Sequence, residues 1–350
     1  MTQTETTLRQ TADVGGPAQP LLTIRGLTKH FPLRSGLLGR STGVVQAVDD
    51  ISFEVRKGET LGLVGESGCG KSTTSRLIMA LLAPTAGEVI FDGQAIGYGG
   101  LTLKEYRRQV QMVFQDSYSS LNPRLTVQDS IAFAPQMHGL GRRQSAARAE
   151  ELLAAVGLNP AQFGRRYPHE LSGGQRQRIN IARALALQPR LLILDEPVSA
   201  LDKSVEAQVL NLLLDLKAQF GLTYLFISHD LNVVQYVSDR VLVMYLGRIA
   251  EIGPVDAIYG GAVHPYTAAL LDSRPSMDPE RRRTVPPLQG DPPNPVNPPS
   301  GCRFRTRCVH AEPVCAQTVP PLATASAGHQ AACLMVLPGS GHSRAPALAA

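Results

Sequence analysis

The chain has 350 residues, 43% of them hydrophobic, which is enough for one large core and a second, smaller unit. Its net charge of +5 is mild and its arginines are scattered as well as clustered, which argues against a nucleic-acid-binding surface. No apolar run approaches the roughly 18 residues that a membrane-spanning helix needs, and the N-terminus lacks the pattern of a secretion signal. We therefore expect a cytosolic protein that reaches a membrane only through a partner.

The first third of the chain predicts short strands around one glycine-rich loop. Residues 1–20 are polar and predict a disordered start. Apolar patterns predict strands at residues 21–25, 61–64, 88–91 and 110–114, a pair of strands within residues 44–55, and a helix at residues 71–82. Because Pro84 disfavours helical backbone just before it, we expect this helix to end by residue 82.

The glycine-rich loop carries the first chemical signal. Residues 65–72 read GESGCGKS and fit G-x-x-x-x-G-K-[ST], with the preceding strand and following helix that this phosphate-binding loop needs. The glycines let successive amides face one phosphate, Lys71 would reach the β- and γ-phosphates, and Ser72 would bind Mg²⁺. The alternative is an ordinary glycine turn before a helix. We expect nucleotide contacts from Gly65, Glu66, Ser67, Gly68, Cys69, Gly70, Lys71, Ser72 and Thr73.

The middle of the chain predicts an inserted helical segment. Helical patterns cover residues 127–137 and 145–156, and a further helix opens at residues 171–175, LSGGQ, and continues to about residue 187. Ser172 and Gln175 have the S-x-x-Q spacing of a capping box. The pattern indicates either a well-capped helix and nothing more, or a second anion site at a helix N-terminus.

Polar side chains follow several of the predicted core strands. Asp195 and Glu196 end the apolar run at 191–194, where Asp195 suits Mg²⁺ coordination and Glu196 suits general-base work; a solvated turn is the alternative. Gln115 could bind Mg²⁺ or orient a water, although a single Gln at a strand end is usually polar surface. His229 could donate a hydrogen bond to the γ-phosphate, although a single His is more often structural. With helices predicted at 204–220 and 231–237 and strands at 223–227, 241–245 and 248–252, the core is predicted to be α/β with a mainly parallel sheet.

Together these motifs resemble the nucleotide-binding subunit of an ATP-binding-cassette (ABC) transporter. In that family's order they are Walker A at 65–72, the Q-loop at Gln115, the LSGGQ signature at 171–175, Walker B at 191–196, the D-loop at 199–202 and the switch histidine at His229. The resemblance covers about residues 21–252. It implies a P-loop NTPase (ABC ATPase) core with an antiparallel β subdomain and an inserted α-helical subdomain at about 116–178.

The resemblance implies that two such domains stack head to tail, each closing the ATP site of the other. The residues implied to act in trans are Ser172, Gly173, Gly174, Gln175 and Asp202. The residues implied in catalysis are Glu196, His229, Gln115 and Lys71, and those implied in Mg²⁺ binding are Ser72, Gln115 and Asp195. Adenine in this family stacks on an aromatic residue upstream of Walker A, for which Phe31 is the candidate.

A second resemblance narrows the class of transporter. Three parts of the chain resemble the dipeptide and oligopeptide importers: FQDSYSSLNPR at 114–124, HPYT at 264–267, and NPPSGCRF at 297–304 followed by Arg307 and Cys308. The last two segments lie in a C-terminal extension at 253–337, which includes a proline-rich linker at 284–300. A disordered tail is predicted at 338–350.

Four of the five cysteines lie in this extension, and such clustering in a cytosolic chain suggests metal binding more than disulfides. Successive cysteines are separated by five, six and seventeen residues, a spacing without the C-x-x-C pairs of common zinc ribbons. Four thiolates suit Zn²⁺ and an iron–sulfur cluster equally in number, and unligated thiols are the third alternative. The resemblance implies a [4Fe–4S] cluster held by Cys302, Cys308, Cys315 and Cys333.

We therefore expect a subunit that binds and hydrolyses Mg-ATP to power the uptake of dipeptides or oligopeptides. The implied partners are a second ABC ATPase subunit, identical or homologous, two membrane permease subunits and, indirectly, an extracytoplasmic solute-binding protein, with no nucleic acid. The subunit would lie peripherally on the cytoplasmic face of the cell membrane. The alternatives are import of nickel or another small solute, an exporter subunit, and a cytosolic ABC ATPase that never meets a membrane.

Overall fold

The computed structural model describes residues 13–35, 40–97, 100–274, 288 and 290–347. Of the segments predicted to be disordered, residues 1–12 and 348–350 lie outside the described residues, as do residues 284–287 and 289 of the predicted linker. The chain forms two compact units, each assembled from three segments. The first comprises Met1–Thr23, Glu54–Glu59 and Ile90–Ile227, and the second comprises Ile24–Phe53, Thr60–Val89 and Ser228–Ala350.

Strands and helices alternate along much of the described chain. The strands are β1 (Leu22–Ser35), β2 (Arg40–Val55), β3 (Thr60–Val64), β4 (Ala86–Phe91), β5 (Gln94–Ala95), β6 (Val110–Val113), β7 (Leu191–Asp195), β8 (Thr223–Ile227), β9 (Arg240–Tyr245), β10 (Arg248–Pro254), β11 (Ala323–Ser326) and β12 (His329–Ala331). The helices are α1 (Lys71–Ile78), α2 (Leu103–Gln109), α3 (Val127–Met137), α4 (Arg142–Ala155), α5 (Pro160–Phe163), α6 (Gly173–Leu185), α7 (Lys203–Phe220), α8 (Leu231–Val237), α9 (Val255–Gly261), α10 (Pro265–Asp272) and α11 (Pro313–Gln317). Single 3-10 turns lie at Pro168–Glu170 and Leu334–Val336.

The parallel part of the first unit is built from β6, β7 and β8. β6 runs parallel to β7 with Val110 opposite Leu191, and β7 runs parallel to β8 with Leu191 opposite Thr223. Every residue of β7 and β8 is buried. Strands covered on both faces read as continuous apolar runs, which is why the sequence predicted them.

The second unit combines one parallel pair with an antiparallel series. β3 runs parallel to β9, with Leu61 opposite Arg240, whereas β9 and β10 are antiparallel. β10 continues the antiparallel pairing to β12, and β12 to β11. The α/β class with parallel core strands is confirmed, and the antiparallel pairings of β10, β12 and β11 make the sheet a mixed one.

A separate sheet contains β2, β1 and β4 in that order, and β4 ends in an antiparallel pair with β5. In that pair, Ile90 lies opposite Ala95 and Phe91 opposite Gln94. The buried side chains of Leu22, Ile24 and Val48 belong to these strands. The family resemblance implied an antiparallel β subdomain, and the β4–β5 pair of this sheet is antiparallel.

The inserted helical segment is formed by α3, α4 and α6, which pack against one another. Ile131, Leu152 and Ile179, one from each helix, are fully buried in this packing. α3 has the predicted bounds, and its first turn is capped by Thr126, which accepts a hydrogen bond from the Asp129 amide. The cap fixes the start of the helix because it satisfies an amide that has no partner within the helix.

One predicted boundary needs correction, and two elements were not predicted. α1 ends at Ile78 rather than residue 82, because Ala80 adopts a left-handed backbone conformation with φ 53°. The short helix α2 was missed, although Thr102 and Glu105 form the capping box that marks such a start. The hairpin β11–β12 was also missed, since its short strands carry no apolar alternation.

The described part of the predicted C-terminal tail makes hydrogen bonds with the extension. Ser340 donates to the Leu334 carbonyl over 2.7 Å, and the Ser343 amide donates to the Glu312 carboxylate over 3.0 Å. A ring nitrogen of His342 lies 2.9 Å from the His310 carbonyl oxygen. Within the described residues, no helix is both long enough and apolar enough to cross a bilayer.

Candidate nucleotide-binding site

The phosphate loop of the second unit connects buried strand β3 to helix α1. Gly65, Gly68 and Gly70 have positive φ values of 150°, 77° and 112°. A Cβ atom at Gly65 would lie 2.2 Å from the Met244 carbonyl oxygen, and one at Gly70 would lie 2.4 Å from the Ala47 carbonyl oxygen. Only glycine fits at these two positions, since both the backbone conformation and the close approach exclude a side chain.

Lys71 is the first residue of α1 and its ammonium group is held inside the loop. Its side chain is buried, and Nζ donates to the carbonyls of Gly65 and Glu66 over 2.6 and 3.1 Å. The N-cap Gly70 provides no side-chain cap, so the first amides of α1 remain directed into the loop. Ser72 is exposed at the same helix end and Thr73 is half-buried. The loop therefore combines a fixed cation with a helix N-terminus, an arrangement that favours a phosphate group.

Two residues of the C-terminal extension contact the loop at Glu66. The Glu66 amide donates to the Tyr266 hydroxyl over 2.9 Å. Arg307 donates to both carboxylate oxygens of Glu66, over 2.7 and 3.1 Å, and the hydrogen bonds to Glu66 raise the pKa of Arg307. Sequence reasoning assigned no role to Tyr266 or Arg307, because nothing in the local pattern shows that residues 200 and 241 positions away meet the loop.

The rim of the loop borders a cavity of about 190 Å³. Its lining comes from the loop, from the end of β9 and from the proline-rich segment, with Ser67, Gly68, Tyr245, Pro292 and Pro295 among the residues. The Gln46 amide fixes this segment by donating to the Pro295 carbonyl over 3.1 Å. The described end of the predicted linker thus lies against the phosphate loop.

The first unit carries the two carboxylates at the end of β7. Asp195 is buried, whereas Glu196 is half-buried and has a left-handed backbone with φ 49°. Its amide donates to the Ile227 carbonyl over 2.9 Å, and Gln115 Nε2 donates to its carboxylate over 2.8 Å. A left-handed backbone at a non-glycine residue destabilises the folded state by about 1–3 kcal/mol, and such conformations cluster at functional sites. The structure therefore joins Gln115 and Glu196, which the sequence predicted separately.

The signature segment forms the predicted capping box at the start of α6. Ser172 Oγ accepts from the Gln175 amide over 3.3 Å, and Gln175 Oε1 accepts from the Ser172 amide over 3.0 Å. A Cβ atom at Gly174 would lie 2.5 Å from Cγ1 of Val205. Ser172 is exposed, as is Asp202, the N-cap residue of α7. Both readings of the motif remain compatible with this geometry, since capping leaves the glycine amides of the first turn available.

The other predicted nucleotide contacts lie in the second unit. His229 is exposed and precedes Asp230, which caps α8. Phe31 is 36% exposed on β1, and Lys29 Nζ lies 5.2 Å from its ring centroid. Its role in adenine stacking stays a prediction.

The four cysteines of the extension line one small cavity of about 20 Å³. Burial raises the pKa of Cys302 to about 11 and that of Cys333 to about 12, and the neighbouring cysteines add to both shifts. The donors match a four-thiolate ligand set in number and type. As they are arranged, however, no three or more His, Cys, Asp or Glu side chains among the described residues form a metal-binding group.

Two families of known proteins match consecutive parts of this chain. Residues 48–199 match the family described as "ABC transporter", and residues 250–315 match "Oligopeptide/dipeptide transporter, C-terminal region". A probable peptide ABC transporter ATP-binding protein of Sinorhizobium fredii is 52% identical over 332 residues, which cover 94% of this chain and 92% of the relative. This chain belongs to the ABC transporter ATPase family.

Other similar proteins agree with this assignment. An oligopeptide transport ATP-binding protein of Bacillus subtilis is 51% identical over 90% of this ABC ATPase and 97% of the relative. Among solved structures, cbiO1 from Clostridium perfringens, part of the ABC transporter complex cbiONQ, is 26% identical with a TM-score of 0.60. That likeness covers 72% of this chain and 95% of the other. A dimeric ATP-binding cassette in a post-hydrolysis state with ADP and phosphate is 28% identical with a TM-score of 0.58, covering 67% and 98%.

These findings confirm the resemblance that the motifs indicated. They also confirm the ABC ATPase fold, since both solved structures are ATP-binding domains of that fold. The second family match covers most of the extension, where the sequence segments pointed to peptide importers. The individual site residues and the domain boundaries stay predictions.

Proposed function

We propose that this ABC ATPase binds and hydrolyses Mg-ATP to power the import of dipeptides or oligopeptides through membrane permease subunits. The observation that carries the proposal is the succession, in one chain, of an ABC domain and the C-terminal region named for oligopeptide and dipeptide transporters. The names of the relatives, which are peptide or oligopeptide transport ATP-binding proteins, support the same substrate class.

In this proposal the phosphate loop binds the triphosphate through its amides and Lys71. Mg²⁺, when bound, would neutralise charge on the phosphates, with Ser72, Asp195 and Gln115 as its side-chain ligands. Glu196 accepts the proton of the attacking water, and Gln115 holds the Glu196 carboxylate in place through their hydrogen bond. His229 donates a hydrogen bond to the γ-phosphate.

The proposal includes a second cassette that completes each site. Ser172 and the Gly173 and Gly174 amides at the start of α6 would meet the γ-phosphate bound by the other subunit, flanked by Gln175 and Asp202. Exposure of Ser172 and Asp202 supports this role, because both side chains are accessible to a partner. Hydrolysis would then let the two cassettes separate, because it cleaves the γ-phosphate that both of them contact.

The permease partners would dock on the helical subdomain and place the subunit peripherally on the cytoplasmic membrane face. Phe133 and Met137 of α3 are 55% and 64% exposed, and Tyr118 in the segment after Gln115 is 56% exposed. Asn180 of α6 donates to the Ser117 carbonyl over 2.9 Å, which ties this segment to the signature helix. Exposed apolar side chains on the helical subdomain suit a docking surface through which a conformational change caused by hydrolysis would reach a partner.

Uptake by membrane vesicles containing this subunit, two permeases and a binding protein tests the proposal. We expect ATP inside the vesicles to drive accumulation of a labelled oligopeptide but not of ⁶³Ni²⁺, and Lys71→Ala to abolish it. Lys104→Ala is the control, since Lys104 is an exposed residue of α2. Accumulation of nickel in place of peptide would support the alternative of nickel import, and nucleotide-independent accumulation would contradict the proposal.

We further propose that the cysteine cavity holds a [4Fe–4S] cluster bound by Cys302, Cys308, Cys315 and Cys333. The support is that all four thiols line one cavity. The raised pKa values of Cys302, Cys308 and Cys333 mean that a cluster must displace protons from these thiols, and the side chains must move to form the binding group. Protein purified without oxygen should be brown, with absorbance at about 400 nm and stoichiometric iron and sulfide. Stoichiometric zinc in a colourless protein would favour the alternative metal, and neither metal would favour free thiols.

A further inference from the structure

Glu66 carries a negative charge inside a loop that is built to receive a triphosphate. Its position is the second of the phosphate loop, and its carbonyl accepts a hydrogen bond from Lys71 over 3.1 Å. An uncompensated carboxylate here would repel the phosphates, since like charges at close range oppose binding. The loop therefore needs a group that neutralises Glu66 and fixes its direction.

Arg307 of the C-terminal extension supplies that group. Its two terminal nitrogens meet the two Glu66 carboxylate oxygens at 2.7 and 3.1 Å, and its side chain is only 5% exposed. A bidentate guanidinium–carboxylate pair fixes orientation as well as charge. It turns the carboxylate towards the extension and leaves the backbone of Glu66 to form the loop.

Tyr266 holds the backbone of the same residue. Its hydroxyl accepts the Glu66 amide hydrogen over 2.9 Å, and its ring is fully buried. The ring centroid lies 4.6 Å from that of Tyr245 and 5.4 Å from that of Phe304. The hydroxyl is thus mounted on a packed aromatic cluster that allows it little movement.

The segment that carries Arg307 is itself anchored to the core of the second unit. The Arg307 amide donates to the Phe304 carbonyl over 2.9 Å, and Arg303 donates to the Leu246 carbonyl. Gly247, which follows Leu246 in the chain, donates its amide hydrogen to the Cys69 carbonyl of the phosphate loop over 2.8 Å. The extension and the loop are therefore connected at several points on one side of the loop.

We propose that Arg307 and Tyr266 are positioning residues for the phosphate loop, and that they make ATP binding by the ABC domain depend on the C-terminal extension. Arg307 neutralises and orients Glu66, and Tyr266 fixes its amide. Neither residue touches the nucleotide in this scheme. The inference rests on the proposed function, because it concerns the affinity of the same loop for Mg-ATP.

The test is the Kd for Mg-ATP of purified full-length variants, measured by titration, together with KM and kcat for hydrolysis. Arg307→Ala should raise Kd and KM about tenfold or more, since hydrogen bonds between charged groups contribute that much, and leave kcat little changed. Tyr266→Phe, which removes only the hydroxyl, should raise Kd about fivefold. Arg305→Ala is the matched control, because Arg305 lies in the same segment and bonds to the Ser300 carbonyl instead.

A double variant separates positioning from a general loss of stability. Arg307→Ala combined with Glu66→Gln removes both charges of the pair, so affinity should recover by several-fold relative to Arg307→Ala alone. Equal weakening in the two variants, or a wild-type Kd in Arg307→Ala, would overturn the inference. Should Arg307→Ala not fold, Arg307→Lys and Tyr266→Phe provide the same comparison, and unchanged affinity in both would overturn it. Failure of the proposed function is distinguishable, because wild-type protein would then not bind Mg-ATP, or Lys71→Ala would bind it equally well.

Discussion

The side chain of Gln115 contacts the carboxylate of Glu196, which is the proposed general base. Gln115 follows β6 and Glu196 follows β7, and parallel pairing of these neighbouring strands brings their carboxyl ends together. The 2.8 Å contact with Gln115 holds the carboxylate that is proposed to accept the proton.

Replacing Glu196 by Gln should leave ATP binding intact and reduce turnover about 100-fold or more, since an amide keeps the contact with Gln115 but accepts no proton. Nucleotide titration and steady-state phosphate release measure the two effects. Glu88→Gln serves as the control, because Glu88 is exposed in a surface pair with Arg25. Retained turnover in Glu196→Gln would remove this residue as the base.

Among the elements, helix α6 performs a structural task and a proposed functional task with the same residue. Ser172 caps the helix, and in the proposed dimer it also meets the phosphate of the other subunit. The two tasks have different chemical requirements, because several residue types cap a helix whereas a phosphate excludes a negative charge.

Substitutions at Ser172 separate these two tasks. Ser172→Ala should lower the free energy of unfolding by about 1 kcal/mol, since it removes the cap. Ser172→Asp should keep the cap and the stability but abolish ATPase activity, because its carboxylate would face the γ-phosphate. Denaturant unfolding and phosphate release measure the pair. An active Ser172→Asp protein would count against the head-to-tail arrangement.

Helix α10 introduces a pH dependence through its N-cap. His264 is buried and its Nδ1 accepts the Tyr266 amide hydrogen over 3.0 Å. Burial lowers the pKa of His264 to about 4, below the value of about 6.5 that an exposed histidine has. The unfolded chain therefore binds the proton first as the pH falls.

This histidine should make stability decrease between about pH 6.5 and pH 4, by up to about 1.4 kcal/mol per pH unit. His264→Asn, which retains a capping side chain without a titrating group, should flatten that decrease. The free energy of unfolding of both proteins, followed from pH 7 to pH 4, gives the comparison. Parallel curves would show that another group causes the loss.

For the molecule as a whole, the proposed transport function requires that α3 contact a permease. The double variant Phe133→Ser and Met137→Ser should retain basal ATPase activity and lose co-purification with co-expressed permeases, because it removes apolar surface without touching a nucleotide motif. Val319→Ser is the control, as Val319 is also 50% exposed and lies in the extension. Full co-purification of the double variant would place the docking surface elsewhere.

The sequence by itself determined the family, the order of the nucleotide motifs and most of the core elements. Buried parallel strands are continuous apolar runs, and the phosphate loop and the cap at Ser172 depend on residue types at fixed local spacing. Local chemistry of this kind is readable without a structure. The capping box of α2 was equally readable, and it would have given that helix too.

Only the tertiary structure decided which distant residues support the phosphate loop. Tyr266 and Arg307 contact Glu66 across 200 and 241 positions, and no local pattern encodes such a pairing. The same holds for the Gln115–Glu196 contact, which follows from strand order, and for the cavity shared by the four cysteines. Contacts of this range depend on how completed elements pack together, so the sequence can name the residues while the fold alone joins them.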